Sequence, residues 1–319
     1  MNFLYDNFIS EAIVFVFKWV VGFINDYGLT IIALTLLIKL LMLPLDLKQR
    51  ASSRKMSLIS AEVQSIQKRY ANNPEQMNRK VSELYKERGV SPMAGCWPML
   101  ISMVFLFAFY GALRVVATEQ TISIYLKAIQ DGAESIQLPS WLWIRNLFQA
   151  DSGMASALPK AQEFLTFVQQ NASYVTPQSF SLMADAGLLS FTNGTMAIGP
   201  SYDTIRAAIL TANGCMQNGV EIYNNGWFVL PIIAGVSLFL QQKFTSKLSG
   251  QPIDKQPGGK MMLYFFPIFS AWICFTANAI FSIYWVMSNL FAIAITVIIT
   301  IYYKRKDQKK EVTAENFRS

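Results

Sequence analysis

The sequence predicts an all-α, polytopic membrane protein with five transmembrane helices, an N-terminal interfacial helix and a cytoplasmic helical hairpin. Three observations support this fold class. The 319 residues are 53% hydrophobic and only 15% charged, a composition typical of membrane proteins. Apolar segments long enough to cross a bilayer, which takes about 20 helical residues, recur along the chain. Basic residues are concentrated between these segments, and this bias defines an orientation.

Residues 1–27 contain the predicted interfacial helix. The apolar stretch 8–24 is short for a span and is interrupted by Lys18. Its few polar or small residues recur at helical spacing along one narrow face: Glu11, Lys18, Gly22 and Asn25. This pattern indicates an amphipathic helix lying in the membrane interface. A short spanning helix is the alternative interpretation.

Five apolar segments are predicted to span the membrane. The stretch 261–303 is too long for one span, and Thr276-Ala277-Asn278 divides it into a short helix and a long one. The predicted spans are residues 28–49, 93–116, 226–242, 261–275 and 279–303.

Residues 50–92 are predicted to form the helical hairpin. Asn73 is placed as the N-cap of its second helix and Pro74 as the first helical residue, and Gly89 ends that helix. Apolar residues at steps of three and four form the seam between the two helices: Met56, Ile59, Val63, Ile66, Tyr70, Met77, Val81 and Leu84. The basic residues outside the seam are either a solvated face or a surface for lipid head groups or ribosomal RNA.

The distribution of charge predicts the topology. Ten Lys and Arg residues lie in 48–88, four in 241–260 and six in 304–319, whereas 115–224 holds four against eight acidic residues. Basic segments belong on the cytoplasmic side. The hairpin, the loop 243–260 and the tail 304–319 are therefore expected in the cytoplasm. The N-terminus and residues 117–225 are expected outside.

The extracytoplasmic segment contains an insertion, residues 152–222, that is polar and rich in turn-forming residues. We expect it to form a small accessory domain that does not contribute to any groove formed by the spans and can be removed without changing the topology. Cys215 is expected to be accessible from outside. Three short helices are predicted in this part of the chain, at 159–171, 177–186 and 202–211.

Lys39 is the candidate functional residue with the strongest support, because it interrupts the first predicted span near its middle. A charged side chain there costs roughly 2.5–3.5 kcal/mol on insertion scales. Asp46 lies two turns away, so no helical salt bridge at three or four residues is available. A lysine that extends to the membrane surface is the alternative, but its central position favours a residue facing a partner or a water-filled cavity.

Covalent chemistry has no support in the sequence. There is no histidine, and the three cysteines, Cys96, Cys215 and Cys274, are far apart with no metal-binding spacing. We find no clustered carboxylates and no nucleotide-binding motif. The sequence therefore predicts a protein that is not an enzyme and that uses no cofactor, metal or nucleotide.

Several segments carry motifs of one known family. Residues 73–113 run NPEQMNRKVSELYKERGVSPMAGCWPMLISMVFLFAFYGAL, from the hairpin into the second span. The other segments are 36–49 (LLIKLLMLPLDLKQ), 139–151 (PSWLWIRNLFQAD), 230–243 (LPIIAGVSLFLQQK) and 283–290 (IYWVMSNL). In this order they resemble the YidC/Oxa/Alb family of membrane protein insertases, over nearly all of the chain except 152–222.

The resemblance implies a membrane protein insertase and chaperone of the bacterial plasma membrane. Such a protein passes polar segments of nascent membrane proteins through a hydrophilic groove open to the cytoplasm and to lipid. The implied groove residues are Lys39, Thr35, Gln241, Tyr284 and Trp285. The implied partners are nascent membrane proteins, the ribosome, the Sec translocon and membrane lipids.

The chain departs from the family pattern at two places that bear on function. The groove cation is usually arginine and here is Lys39, which lacks the planar fork of a guanidinium. The outer loop usually passes almost directly into the third span, and here the insertion 152–222 intervenes. A small-solute transporter or ion channel is the alternative function, but it predicts acidic groups inside spans or an internal repeat, and we find neither.

Overall fold

A computed structural model describes residues 7–89, 97–192, 194–249, 253 and 259–316. Most of this part of the chain is helical. Its helices are α1 (Phe8–Ile24), α2 (Tyr27–Arg69), α3 (Pro74–Glu87), α4 (Trp97–Asp131), α5 (Ala161–Gln170), α6 (Pro177–Asp185), α7 (Tyr202–Ala212), α8 (Val229–Ser249), α9 (Phe266–Thr276) and α10 (Ala279–Asn316). Its strands are β1 (Leu189–Thr192), β2 (Thr195–Ile198), β3 (Met216–Gln217) and β4 (Val220–Glu221).

The chain divides into two compact units. The first comprises Met1–Thr35, Phe107–Leu238 and Phe266–Met287, and the second comprises the remaining segments. The first unit contains α1, the outer loop 139–151 and the inserted domain. The second contains the helical hairpin. Helices α2, α4, α8 and α10 each contribute residues to both.

Helix α1 has the predicted bounds. The side chain of Asn7 accepts hydrogen bonds from the backbone N–H groups of the first turn, which fixes where the helix begins. Ile13 and Phe17 are buried, and Lys18 forms an ion pair with Glu119 of α4 at 2.7 Å. The remaining aromatic side chains of the helix are exposed: Phe8, Phe15, Trp19 and Phe23.

The helical hairpin has the predicted cap and seam. Asn73 accepts a hydrogen bond from the N–H of Gln76 at 3.1 Å, and α3 begins at Pro74. Ile59 and Leu84 are buried in the seam. Arg88 donates to both carboxylate oxygens of Glu62 at 2.9 Å, which ties the end of α3 to α2.

Helix boundaries differ from the predicted spans at several places. Helix α2 continues from the first span into the hairpin without a break, with Pro44 inside it. Helix α4 continues to Asp131, fifteen residues beyond the predicted end at 116. The fourth predicted span begins with a π-helical turn, Met261–Phe265, before α9. The predicted break at 276–278 is confirmed, because α9 ends at Thr276 and α10 begins at Ala279.

Two helices in the described ranges are long and apolar enough to cross a membrane. They are Tyr27–Lys48 and Ala279–Tyr302, and the apolar helix Met261–Thr276 is shorter. The start of the second predicted span, residues 93–96, and residues 250–252 and 254–258 of the loop 243–260 lie outside the described residues.

The outer loop 139–151 caps the start of α10. The N–H of Ala279 donates to the carbonyl of Gln149 at 2.8 Å, and the N–H of Ile280 donates to the carbonyl of Leu147 at 3.0 Å. The third N–H of the helix, on Phe281, donates to the side chain of Asn278. These are the groups that a helix leaves without an internal partner. The loop also contacts the start of α2, where Phe148 packs edge-on against Tyr27.

The three short helices of the insertion, α5, α6 and α7, all lie within two residues of their predicted bounds. They pack with residues of α4 into one buried apolar core that includes Ile122, Tyr125, Phe164 and Leu210. The domain is therefore larger than 152–222, because α4 and the segment 133–138 supply part of its core. Removal of 152–222 alone would expose Tyr125.

The fold also contains β-structure that the all-α prediction missed. Strands β1 and β2 form one antiparallel hairpin, and β3 and β4 form another. The second hairpin turns at Asn218-Gly219, and both residues have positive φ, as a two-residue hairpin turn requires. The expectation for Cys215 is also wrong, because this residue is 1% exposed and packs in the domain core.

A buried arginine organises the inserted domain. Arg206 donates to the carbonyls of Pro159 and Leu158 and to Glu221 at 2.7 Å. The Tyr202 hydroxyl also donates to the Pro159 carbonyl, at 2.7 Å, and lies 2.8 Å from the Tyr125 hydroxyl of α4. Every polar atom named here has a partner, which keeps the cost of burying them low.

Glu221 should make the stability of the inserted domain depend on pH. Burial alone would raise the pKa of Glu221, but hydrogen bonds from Ser156 and Arg206 outweigh it and hold the pKa below its ordinary value of 4.5. The ionised carboxylate therefore stabilises the folded domain at pH values above the ordinary pKa. This stabilisation is lost as the pH falls through the lowered pKa of the folded state.

We predict that Glu221→Gln lowers the melting temperature of the full-length protein in nanodiscs at about pH 7. The difference from the unsubstituted protein should shrink as the pH falls below the ordinary value, as followed by scanning fluorimetry. The control is Glu134→Gln, at an exposed position of the same domain. It should change neither the melting temperature nor its dependence on pH. An equal Glu221→Gln effect at acidic and neutral pH would contradict the assignment.

Candidate substrate groove

Lys39 lies half-buried in α2, within the apolar helix Tyr27–Lys48. It makes no ion pair within 4.0 Å among residues 7–89 and the other described ranges. The acidic group that acts on it electrostatically is Asp46, seven residues further along the helix. Its neighbours Leu37 and Leu41 are exposed. A cation thus sits in an apolar helix without a close counter-ion in the described structure.

Thr35 lies four residues before Lys39 in the same helix and is fully buried. Its hydroxyl donates to the carbonyl of Ile31 at 2.6 Å. This local hydrogen bond satisfies the hydroxyl within α2.

Helix α8 carries a short run of polar residues at its C-terminal end. Gln241 is half-buried. Gln242 and Thr245, three residues apart on the same helix, each have a buried side-chain oxygen without a hydrogen-bond partner in the part of the chain described. The sequence analysis identified only Gln241. Gln242 and Thr245 are polar and three residues apart, and this helical spacing was the signal in the sequence that could have identified them.

Helix α10 carries the two aromatic candidates and one further polar residue. Tyr284 is buried and stacks on Phe109 of α4, with ring centroids 3.7 Å apart. Trp285 is half-buried, and its indole N–H is a buried donor without a partner in the described ranges. Ser288, three residues later, has a buried hydroxyl that also lacks a hydrogen-bond partner in the described ranges. The sequence motifs did not point to Ser288.

These unpartnered atoms have a physical consequence. A buried polar group without a hydrogen bond costs about 1–3 kcal/mol, and proteins satisfy such groups with water where the site is polar. Two more hydroxyls of this kind, on Thr30 and Thr121, lie in the first unit.

Apolar helices long enough to cross a membrane, one of which holds a lysine near its middle, are typical of helical integral membrane proteins. Within this class the chain belongs to the family described as 60Kd inner membrane protein, whose model matches residues 19–308. The predicted family is therefore confirmed.

Curated relatives of the chain are named as membrane protein insertases. It is 27% identical over 289 residues to the insertase YidC of Chlorobium limicola, covering 90% of this chain and 35% of the relative. It is 27% identical over 295 residues to the insertase MisCA of Bacillus subtilis, covering 91% and 76%. The identity to YidC of Fusobacterium nucleatum is 37% over 114 residues, covering 36% and 55%. The chain thus matches between about a third and three quarters of these relatives' lengths.

The stack between Phe109 and Tyr284 should be a major source of stability in the first unit. We predict that Phe109→Ala lowers the free energy of unfolding by about 3–5 kcal/mol, because it removes a buried ring and leaves a cavity. Phe109→Leu should cost about 1.5 kcal/mol or less. Unfolding by SDS titration in mixed micelles measures both.

Val104→Ala is the matched control for Phe109→Ala, because Val104 lies on the same helix and is exposed. It should change the free energy of unfolding by no more than about 0.5 kcal/mol. If Phe109→Ala were as mild as this control, the stack would contribute little to stability.

Proposed function

We propose that this protein is a membrane protein insertase and chaperone. Lys39 would lie in a hydrophilic groove that opens to the cytoplasm and to lipid and is closed on the outer side. The observation that carries the proposal is a half-buried cation inside an apolar helix with no close counter-ion in the described ranges. A charge is retained in such a place only where it serves a partner or a wet cavity. The names of the relatives support the same function.

The unpartnered polar atoms on α8 and α10 support a water-filled groove. Gln242, Thr245, Trp285 and Ser288 each have a buried donor or acceptor that water would satisfy. Water would also keep Lys39 charged. Gln241, Thr35 and Tyr284 remain proposed groove residues on the resemblance, although the hydroxyl of Thr35 is already bonded to Ile31.

The proposed mechanism needs no nucleotide and no covalent step. A positive charge in the groove attracts the acidic outer tail of a nascent membrane protein. The apolar segment that follows then enters lipid, and its burial releases roughly 25 cal/mol per Å² of apolar area. This release drives the tail across the shortened apolar layer. Backbone groups that cannot enter lipid unsatisfied would be hydrated in the groove during passage.

The proposed topology has five spans, with the N-terminus outside and the C-terminus in the cytoplasm of a bacterial plasma membrane. The basic residues of the hairpin and the tail support this orientation. An exposed basic hairpin beside the membrane also suits contact with the ribosome and with lipid head groups. The Sec translocon is a further proposed partner.

Insertion is favoured over transport of a small solute or ion. A transporter site needs groups that bind the solute and release it on either side. The groups that support the proposal are a cation on α2 and, on α8 and α10, polar atoms that water would satisfy, and such groups suit a polar peptide. Reconstitution in liposomes with a single-span substrate separates the two functions.

Lys39 should be the most sensitive single position for insertion. In proteoliposomes, Lys39→Glu should reduce insertion of a substrate with an acidic outer tail by about fivefold or more, because it replaces attraction with repulsion. Lys39→Ala should reduce it less, and Lys39→Arg should retain it. Protease protection of the translocated tail measures each variant.

The matched control for Lys39 is Lys48→Ala, which removes a cation from the exposed end of the same apolar helix. It should insert the substrate normally. Wild-type insertion by Lys39→Glu would overturn the role of the groove charge. A substrate with a basic tail should reverse the order of the variants.

Hydration of the groove predicts an unusual response to apolar substitution. Thr245→Val and Ser288→Ala should change the free energy of unfolding by less than about 0.5 kcal/mol, because water already satisfies the hydroxyls, yet slow insertion. If the sites were dry, each substitution would remove an unsatisfied group and stabilise the protein by about 1 kcal/mol or more. Thr296→Val provides the comparison with a hydroxyl that is bonded to protein, because the Thr296 hydroxyl donates to the carbonyl of Ala292.

A further inference from the structure

Asp151 is fully buried at the point where the outer loop meets α8. Its carboxylate accepts hydrogen bonds from the N–H of Trp227 at 2.8 Å and the N–H of Leu230 at 2.7 Å. The indole N–H of Trp143 donates to it at 3.2 Å. Leu230 is the second residue of α8, so the carboxylate caps that helix, and the helix dipole favours the negative charge there.

Two buried asparagines complete this polar cluster. The side chain of Asn225 accepts from the N–H of Asn146 at 2.8 Å and donates to the carbonyls of Asn146 and Ala150. The side chain of Asn146 accepts from the N–H of Phe148 and donates to the carbonyl of Ala157. Both residues are fully buried. We call Asn146, Asp151 and Asn225 the outer latch.

The latch fixes the loop that caps α10. Leu147 and Gln149, whose carbonyls accept from Ile280 and Ala279, lie between Asn146 and Asp151 in sequence. The hydrogen bonds of the latch therefore hold both acceptors in place. One polar cluster thus anchors the outer ends of α8 and α10 together, within the first unit.

The inserted domain leaves and rejoins the core at the latch. Gly226 lies so close to Asp151 that any side chain there would collide with the carboxylate. The N–H of Gly226 donates to the carbonyl of Ser152 at 3.2 Å, and the N–H of Asn225 donates to the carbonyl of Ala155 at 2.8 Å. The two ends of the insertion are thereby held side by side.

We propose that Asn146, Asp151 and Asn225 are positioning residues that keep the outer end of the protein closed. This inference rests on the proposed function, in which a groove open to the cytoplasm must not become a path across the membrane. When the latch is intact, the first N–H groups of two helices are bonded to protein. When it is broken, these groups need water, and the outer end opens to it.

Two native cysteines report on the latch. Cys274 is fully buried two residues before the end of α9, and Cys215 is buried in the inserted domain. In right-side-out vesicles an impermeant thiol reagent should label both slowly in the unsubstituted protein. Labelling of each is quantified separately by peptide mass spectrometry. Opening at the latch exposes Cys274, whereas general unfolding of the outer region exposes Cys215 as well.

Asp151→Ala should increase the labelling rate of Cys274 by about tenfold or more, because loss of a charge-assisted cap raises the open population by that order. Cys215 should remain protected. Asp151→Asn, which keeps an acceptor oxygen, should have a smaller effect. Asn225→Ala should increase the labelling of Cys274 in the same way as Asp151→Ala. It serves as the test of the latch if the Asp151→Ala protein does not accumulate.

Asp203→Ala is the matched control, because Asp203 is an exposed carboxylate in the first turn of α7. It should leave Cys274 protected.

In proteoliposomes, Asp151→Ala should also raise the leak of protons, measured with an entrapped dye. The proposal is overturned if Cys274 stays protected in both latch variants, or if Cys215 is labelled as fast as Cys274. Failure of the unsubstituted protein to insert a substrate would reject the proposed function, while the labelling would still test the latch.

Discussion

The need to satisfy helix-terminal N–H groups where water is scarce is the constraint on which the starts of α8 and α10 depend. A helix begins with N–H groups that have no partner inside it. The loop 139–151 supplies partners to α10 through two carbonyls and to α8 through Asp151. One short segment thereby determines where two long helices begin, and the chain tolerates a large insertion beside it because that segment is bonded internally.

The proposed groove depends on the opposite arrangement. The side chains of Asn146 and Asp151 in the loop 139–151 are bonded to protein, whereas Gln242, Thr245 and Ser288 have buried atoms without partners in the described structure. Bonded atoms exclude water and unpartnered ones attract it. A protein that passes polar segments into a membrane needs both conditions, because a path hydrated along its whole length would leak ions. Lys39, a cation in an apolar helix, is consistent with the hydrated part.

Local signals in the sequence predicted much of the fold. Asn73-Pro74 gave the start of α3, and Thr276-Ala277-Asn278 gave the break before α10. Asn218-Gly219 carried a hairpin signal that was overlooked. Pairings between distant residues could not be predicted, because no local pattern encodes them. Tyr125 meets Tyr202, and Asn146 meets Asn225, across more than 70 residues. For the same reason the sequence named Lys39 but not the latch.

Access of water to position 39 tests the central claim most directly. Lys39→Cys is introduced, and an impermeant thiol reagent is applied to vesicles of both orientations, with labelling of this cysteine quantified by peptide mass spectrometry. A groove that is open to the cytoplasm and closed outside predicts rapid labelling from the cytoplasmic side and none from the outer side. Labelling from the outer side would contradict closure. Protection from both sides would mean that position 39 faces lipid or packed protein, and that no wet groove surrounds it.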